Sequence, residues 1–267
     1  MEPNELQIYI NTNEQQLVNE LLGNIGNPNA HIREGVTFQL FTLLLHHQFL
    51  SIEVVNQIAE YIVEQQYLFL NIDSPVSDAV FTRSASALWL TSILKSEKYS
   101  KNLPNTIFSL ILQQSSRYLM QEKDSRGYVN DENGWADAIG AAAELCYSCI
   151  NNDHFDIKET SNLLQAISKA LWNNHVFVNN EDERFIKMIM GLIHQDVDEQ
   201  LLIEWVEQIF DKLEFYSYNN GYTQQWFIAR TNILQLMKTL YFHLKFSHKH
   251  DQLRAVTSIF IQKWLKI

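Results

Sequence analysis

Carboxylates gather in the stretch from Gln121 to Glu144, where a long polar loop leads into a helix rich in small residues. Helical spacing places Asp137 and Glu144 on one face, two turns or roughly 10.5 Å apart along the axis. Asp124 and Arg126, in the loop, are near enough in sequence to approach that face. Carboxylates that converge in a groove can bind a hard cation, or act as acid and base when their pKa values differ. Asp124, Asp137 and Glu144 are therefore candidate catalytic residues.

A structural role for the same side chains is the competing interpretation. Asp137 and Glu144 would then be solvated, or paired with Arg126 and a neighbour so that the loop is held in place. Arg83, on a helix predicted at 78–96, is one such neighbour.

The arginines and aromatic residues of this region, Arg83, Arg126, Tyr128 and Trp135, are candidate binding residues. If the region is an enzyme site, they should converge with the carboxylates in a pocket of on the order of a few hundred Å³. Periodicity also predicts that Trp135 begins the buried stripe of a helix at 134–151.

The cysteines, Cys146 and Cys149, form a CxxC pattern that occurs in redox pairs and in half of a zinc site. Thioredoxin-like chemistry needs the pair at a helix N-terminus, whereas this pair lies late in a predicted helix with no strand nearby. A structural zinc site needs four ligands, and His154 alone does not complete one. We therefore expect buried thiols. A metal-dependent sensor that uses Cys146, Cys149 and His154 is the weakest functional hypothesis.

Motifs of the common enzyme classes are absent from the sequence. The nine histidines form no HExxH pattern, and there is no GxSxG, GxxxxGK[ST] or GxGxxG segment. Hydrolases and nucleotide-binding enzymes of these types are disfavoured, and the sequence predicts no metal and no cofactor.

Chain-breaking residues are scarce, since the chain has 8 Gly and 4 Pro among 267 residues, about 4.5% against roughly 12% in average proteins. Sandwiches, barrels and doubly wound folds need frequent tight turns, so this scarcity disfavours them. Disorder is also disfavoured, because 46% of the residues are hydrophobic. Apolar residues recur at helical spacing along most of the chain, as between 201 and 213.

The breakers divide the chain into a first helix at about 13–23 and about five helix pairs. The pairs are predicted at 30–47 with 51–68, 78–96 with 105–122, 134–151 with 157–175, 181–195 with 197–212, and 222–246 with 250–266. Their starts lie 41 to 56 residues apart, a spacing typical of stacked antiparallel α-α repeats of the HEAT or ARM kind. We therefore predict an all-α superhelix in a single domain at 1–267. An irregular helical bundle and an α/α toroid are the alternatives.

The formal net charge of −11 disfavours nucleic acid as a partner, because phosphates would be repelled. The charge is uneven: 238–266 has six Lys or Arg and one acid, whereas 181–214 has ten acids and three Lys or Arg. Either these segments are solvated faces that attract each other, or the basic end binds a protein or peptide partner. There is no evident signal peptide and no apolar run of about 18 residues, so we expect a cytoplasmic protein without a membrane span.

Four short motifs, spread over most of the chain, give a resemblance to a known family. They are NIGNP at 24–28 followed by HIRE at 31–34; FTRS at 81–84 with Ala87-Leu88; DSRGYV at 124–129 running to GWA at 134–136; and Glu183-Arg184. The sequence resembles the uncharacterised bacterial domain-of-unknown-function 2785 family. The resemblance implies an all-helical, HEAT-like protein with no assigned activity.

The family pattern differs from this sequence on the helix after GWA. It has a histidine directly after this motif, a second histidine four residues later and an acid three residues beyond. The corresponding residues here are Asp137, Ala141 and Glu144. The resemblance thus implies that a histidine-based site of the family is lost or altered in this chain.

The architecture favours a non-catalytic helical-repeat protein that binds or scaffolds partners, because stacked helix pairs expose a long surface. The alternative is an enzyme, or a degenerate enzyme, with its site at the loop 123–133 and the helix 134–151. The sequence does not indicate a substrate or an oligomeric state.

Overall fold

A computed structural model describes residues 3–74 and 76–266, and it is predominantly helical. The α-helices within these residues are α1 (Pro3–Asn24), α2 (Gln39–His46), α3 (Ile52–Glu64), α4 (Ala79–Lys95), α5 (Glu97–Lys101), α6 (Asn105–Gln121), α7 (Ala138–Ile150), α8 (Thr160–Ala170), α9 (Glu181–His194), α10 (Glu199–Asn220), α11 (Gln224–Ser247) and α12 (Asp251–Leu265). The all-α class expected from the scarcity of glycine and proline is confirmed. None of the described helices has the length and apolarity needed to cross a bilayer.

The remaining regular elements are short. A π-helical segment, His31–Phe38, runs directly into α2, and 3₁₀ turns occupy Tyr67–Phe69 and Ile157–Glu159. Strands β1 (Tyr128–Asn130) and β2 (Gly134–Trp135) pair antiparallel in a small hairpin. This hairpin lies within the polar stretch that the sequence analysis singled out.

The predicted helices overlap observed helices, but several bounds differ: the first, predicted at about 13–23, is Pro3–Asn24, and α5 was not predicted. The helix predicted at 134–151 begins at Ala138, because the preceding residues form β2 and a turn. Gly134 has φ +65° and Asp137 has φ +44°, conformations that interrupt a right-handed helix. Trp135 is therefore a strand residue, and its predicted place in the buried stripe of the helix is wrong.

The chain forms two compact units, Met1–Phe155 and Asp156–Ile267. In the N-terminal unit, α4 packs along α7, α7 also packs against α6, and α3 contacts α4 and α6. Its core includes the stacked rings of Phe41 and Trp89, whose centroids are 3.9 Å apart. The prediction of a single domain remains a prediction.

In the C-terminal unit, α9 packs on α11 and α10 packs on α12, while α11 contacts α10 and α12. The rings of Phe210 and Phe260 stack with centroids 4.5 Å apart, and this contact joins α10 to α12. Trp205 on α10 donates its indole N–H to the carbonyl of Leu164 on α8 (3.0 Å). Alternate helices therefore pack side by side within this unit.

Polar residues at helix starts show why several helices begin where they do. Ser51 accepts from the N–H of Val54 at the start of α3 (3.3 Å), and Thr223 accepts from that of Trp226 at the start of α11 (3.2 Å). These side chains satisfy backbone donors that have no partner within the helix.

Candidate functional site

A buried ion pair lies beside the start of the polar loop. Arg83 on α4 is 1% exposed, and Glu122, which follows α6, is 2% exposed. The guanidinium donates from Nε to Oε2 (2.7 Å) and from Nη2 to Oε1 (2.9 Å), and Nη1 donates to the carbonyl of Leu70 (2.9 Å). Burial lowers the pKa of Arg83, but the hydrogen bond and charge of Glu122 outweigh this and raise the pKa overall. The pair ties the end of α6 to α4.

Glu122 also fixes the beginning of the loop. Its Oε1 accepts hydrogen bonds from the backbone N–H groups of Lys123 (3.0 Å) and Asp124 (2.9 Å). The sequence analysis proposed Arg83 as a partner for the carboxylates of this region but did not single out Glu122. The available signal was an acid at the end of a predicted helix, next to the motif.

Asp124 and Arg126 form a second ion pair within the loop. Arg126 Nε donates to both oxygens of Asp124 (2.9 and 3.1 Å), and Nη2 donates to Oδ2 (2.6 Å). Nη2 also donates to the carbonyl of Ser77 (2.8 Å). The hydrogen bonding that Arg126 donates to Asp124 is the main cause that raises the pKa of Arg126. Both oxygens of this candidate catalytic carboxylate therefore receive hydrogen bonds from a guanidinium.

The hairpin that follows carries the two aromatic candidates on an exposed side. Tyr128 on β1 lies opposite Trp135 on β2, and their rings meet edge to face at 5.7 Å between centroids. Tyr128 is 52% exposed and Trp135 is 49% exposed. The hydroxyl of Tyr128 donates to Asp131, and this bond raises the pKa of Tyr128. These rings are the part of the motif that is accessible to another molecule.

A second buried arginine, Arg33, holds the hairpin against the N-terminal segment. Its Nη2 donates to the carbonyls of Asn133 (2.6 Å) and Trp135 (3.2 Å), and its Nη1 donates to that of Asn27 (2.7 Å). Its guanidinium lies 4.2 Å from the ring centroid of Phe81. Three of the four sequence motifs behind the resemblance are thus in contact in one unit. The sequence analysis quoted Arg33 but assigned it no role.

Asp137 and Glu144 do not share an exposed helical face. Asp137 precedes α7, where its carbonyl accepts from the N–H of Ala141 (2.9 Å). Glu144 lies within α7 and pairs with Lys95 of α4 (3.2 Å). Ala141, which lies between these two acids in the sequence, is 1% exposed. Of the two structural alternatives for Glu144, solvation or pairing with a neighbour, the structure has the pairing.

The cysteines are free thiols in the core. Cys146 and Cys149 are both fully buried, as expected from the apolar pattern around them. Burial raises the pKa of Cys146 to about 12 and that of Cys149 still further. Such thiols are protonated at neutral pH and are poor nucleophiles and ligands. Across the described residues, no group of three His, Cys, Asp or Glu is placed to hold a metal ion, and His154 lies on the surface.

The C-terminal unit has a groove that the sequence analysis did not predict. It has a volume of about 1070 Å³ and runs along α11 between residues 230 and 247, with α9 and the end of α12 beside it. Phe242 and Phe246 line it and are 51% and 73% exposed. Both lie outside the buried stripe of α11, to which Met237 and Leu244 belong. The signal available in the sequence was the position of these two aromatic residues outside the apolar stripe of the predicted helix.

The family model for "Protein of unknown function (DUF2785)" matches residues 68–242. The chain belongs to this family. No curated protein and no solved structure matches the chain. The DUF2785 match includes Arg83, Glu122, Asp124 and Arg126, and it ends at Phe242 within the groove of α11.

Proposed function

We propose that this protein is a non-catalytic helical binding protein, and that the groove along α11 takes a segment of a protein partner. The observation that carries the proposal is the pair of exposed phenylalanines, Phe242 and Phe246, whose rings lie 6.3 Å apart at an angle of 22°. Exposed apolar patches of this kind are typical of interaction sites. A cytoplasmic location belongs to the same proposal.

The neighbouring surface extends this apolar site. Arg230 lines both the groove and a second cavity of about 570 Å³. Tyr222 and Phe227, which line the second cavity, are 73% and 55% exposed. The C-terminal unit therefore offers several aromatic side chains along one stretch of α11 and the turn before it, and large aromatic residues dominate binding energy at protein interfaces.

We also propose a HEAT-like stacking of helices within each unit, which would suit the same function. Helix α9 packs on α11 and α10 packs on α12, as expected when one hairpin stacks on the next. In the N-terminal unit, α4 packs on α7 and α3 packs on α6. HEAT-like stacking is therefore part of the proposal.

The ion pairs of the central motif favour binding over catalysis. Asp124 forms an ion pair with Arg126, and Glu144 forms one with Lys95. A general base needs an accessible carboxylate that can accept a proton from substrate. These two carboxylates already have cationic partners that position the loop and α7, so the motif is assigned a structural role. Tyr128 and Trp135 remain candidate contact residues for a partner.

Photo-cross-linking tests this function. A photoreactive benzoyl-phenylalanine at position 246 should give one dominant adduct with another protein in extracts of the native host. The same amino acid at position 43, where Leu43 is 53% exposed on α2, serves as the control. Absence of an adduct specific to position 246 would contradict the proposal.

A further inference from the structure

The wall of the groove formed by α11 is positively charged. This helix of 24 residues has no Asp or Glu, although the chain has 31. Arg230 and Lys238 line the groove, and Lys245 and Lys249 follow toward the end of α11 and just beyond it. Among residues 3–74 and 76–266, Lys238, Lys245 and Lys249 have no ion-pair partner. Their charges are therefore available to a binding partner.

The acids of the groove lie on the α9 side. Asp182 is 5% exposed and accepts hydrogen bonds from Gln235 Nε2 (3.0 Å) and Thr239 Oγ1 (2.9 Å). Its carboxylate is thus used to join α9 to α11. Glu183, next to it, is exposed at the edge. The charge that faces a ligand along α11 itself is positive.

The groove is long enough for a short helix. Its lining extends over residues 230–247 of α11, a length of about 25 Å at the helical rise, so a helix of about 16 residues fits along it. Phe242 and Phe246 are one turn apart, and Leu234, which is 4% exposed, lies on the floor. An amphipathic helix binds a groove through apolar side chains spaced by about one helical turn. The two phenylalanines on the wall offer apolar contacts at the same spacing.

We infer that the segment bound in the groove is an amphipathic helix with an acidic polar face. This inference rests on the binding function proposed above and adds the chemical class of the partner. The apolar face of the segment packs on Phe242 and Phe246. Its carboxylates face Lys238 and Lys245, where charge complementarity selects against basic helices.

Three synthetic peptides of about 16 residues provide the probes. One is an amphipathic helix with Glu on its polar face and Leu on the other. The second has Lys in place of Glu, and the third is a scrambled form of the acidic peptide that has no apolar stripe. Fluorescence anisotropy at physiological salt should show that the acidic amphipathic peptide binds at least about tenfold more tightly than either of the others.

Groove variants identify the place of binding. Phe242→Ala/Phe246→Ala and Lys238→Glu should each weaken the acidic peptide by about tenfold. Lys158→Glu, a charge reversal at an exposed position outside the groove, is the matched control and should leave the affinity unchanged. All four positions are on the surface, and circular dichroism checks that each variant is folded. The Lys238→Glu/Lys245→Glu variant should prefer the basic peptide.

Several results would overturn the inference. If the scrambled peptide binds as tightly as the acidic amphipathic peptide, charge alone determines the affinity and the apolar face is not used. If the basic peptide binds more tightly, the partner does not have an acidic polar face. If no peptide binds, the protein cross-linked at position 246 provides the test. Mass spectrometry must then place the adduct in a net-negative, helix-forming segment. An adduct in any other segment refutes the inference, whereas the binding function stands. No specific adduct at all refutes both. A concentration-dependent dimer that is lost in Lys238→Glu would assign the groove to a second copy and refute the partner proposed here.

Discussion

Arg83 and Glu122 join α4 to the end of α6 through two hydrogen bonds, of 2.7 and 2.9 Å, between side chains that are almost completely buried. The same carboxylate accepts hydrogen bonds from the backbone N–H groups of Lys123 and Asp124, where the loop begins. Ion pairs therefore hold both the start of the loop and the candidate carboxylate Asp124. Accessible features include the rings of Tyr128 and Trp135 and, in the other unit, the groove of α11.

Removing one partner of the buried pair should destabilise the protein strongly. Arg83→Met or Glu122→Leu leaves an uncompensated charge in the core, which costs about 3–5 kcal/mol. The double variant should be closer to the wild type than the sum of the single variants, and urea denaturation measures all three. The exposed pair of Lys101 and Glu97 is the control, and Lys101→Met should have no measurable effect. Single variants as mild as that control would contradict the structural role of the pair.

Gly134 should tolerate no side chain. It has φ +65°, and a Cβ there would lie 2.7 Å from Cβ of Ala30 and 2.9 Å from Oε1 of Glu34. Gly134→Ala should therefore cost about 1–3 kcal/mol in unfolding free energy. The matched control is Gly23→Ala within α1, where a Cβ meets nothing within 4 Å and should stabilise the helix. Equal effects of the two substitutions would refute the close packing of the hairpin.

The pKa shifts predict a loss of stability at alkaline pH. Burial raises the pKa of Cys146 from 9.0 to about 12, and it also raises the pKa of Cys149 and Tyr118. The folded state therefore keeps protons that the unfolded state releases, and stability that is present below pH 9 is lost as pH rises toward 12. Between pH 9 and 10, the free energy of unfolding should fall less steeply with pH in Cys146→Ala/Cys149→Ala than in the wild type. Tyr118 contributes mainly above this range, because the ordinary pKa of its hydroxyl is 10.0.

Thiol reagents give an independent check on the cysteines. Native protein at pH 8 should react with neither thiol over minutes, and denatured protein should react with both. Rapid reaction of the native protein would show that the thiols are accessible and would revive a redox or metal-binding role.

Asn232 should anchor the segment between α8 and α9. Its side chain is fully buried, accepts the N–H of Phe177 (3.0 Å) and donates to the carbonyl of His175 (3.0 Å). Asn232→Ala should cost at least about 1–3 kcal/mol and speed hydrogen exchange at the Phe177 amide. Asn219→Ala, at an exposed position near the end of α10, should leave both unchanged. Unchanged exchange in Asn232→Ala would contradict the anchor.

The sequence predicted the helices well because hydrophobic periodicity and scarce breakers are local signals. It misplaced Trp135 because the hairpin depends on Gly134 in a left-handed conformation and on pairing with Tyr128. It named Arg83 but missed Glu122, since that pair spans 39 residues and forms only when α4 and α6 pack. It missed the groove because exposure of Phe246 depends on which helices surround α11.

Cross-link yield at position 246 is the sharpest test of a binding groove along α11. Benzoyl-phenylalanine at this position should give one dominant protein adduct, most of which should be lost when Lys238→Glu is added, and position 43 should give no corresponding adduct. Equal yields from positions 246 and 43 would contradict a binding function for the groove of α11. An adduct specific to position 246 that does not respond to Lys238→Glu would contradict the acidic partner.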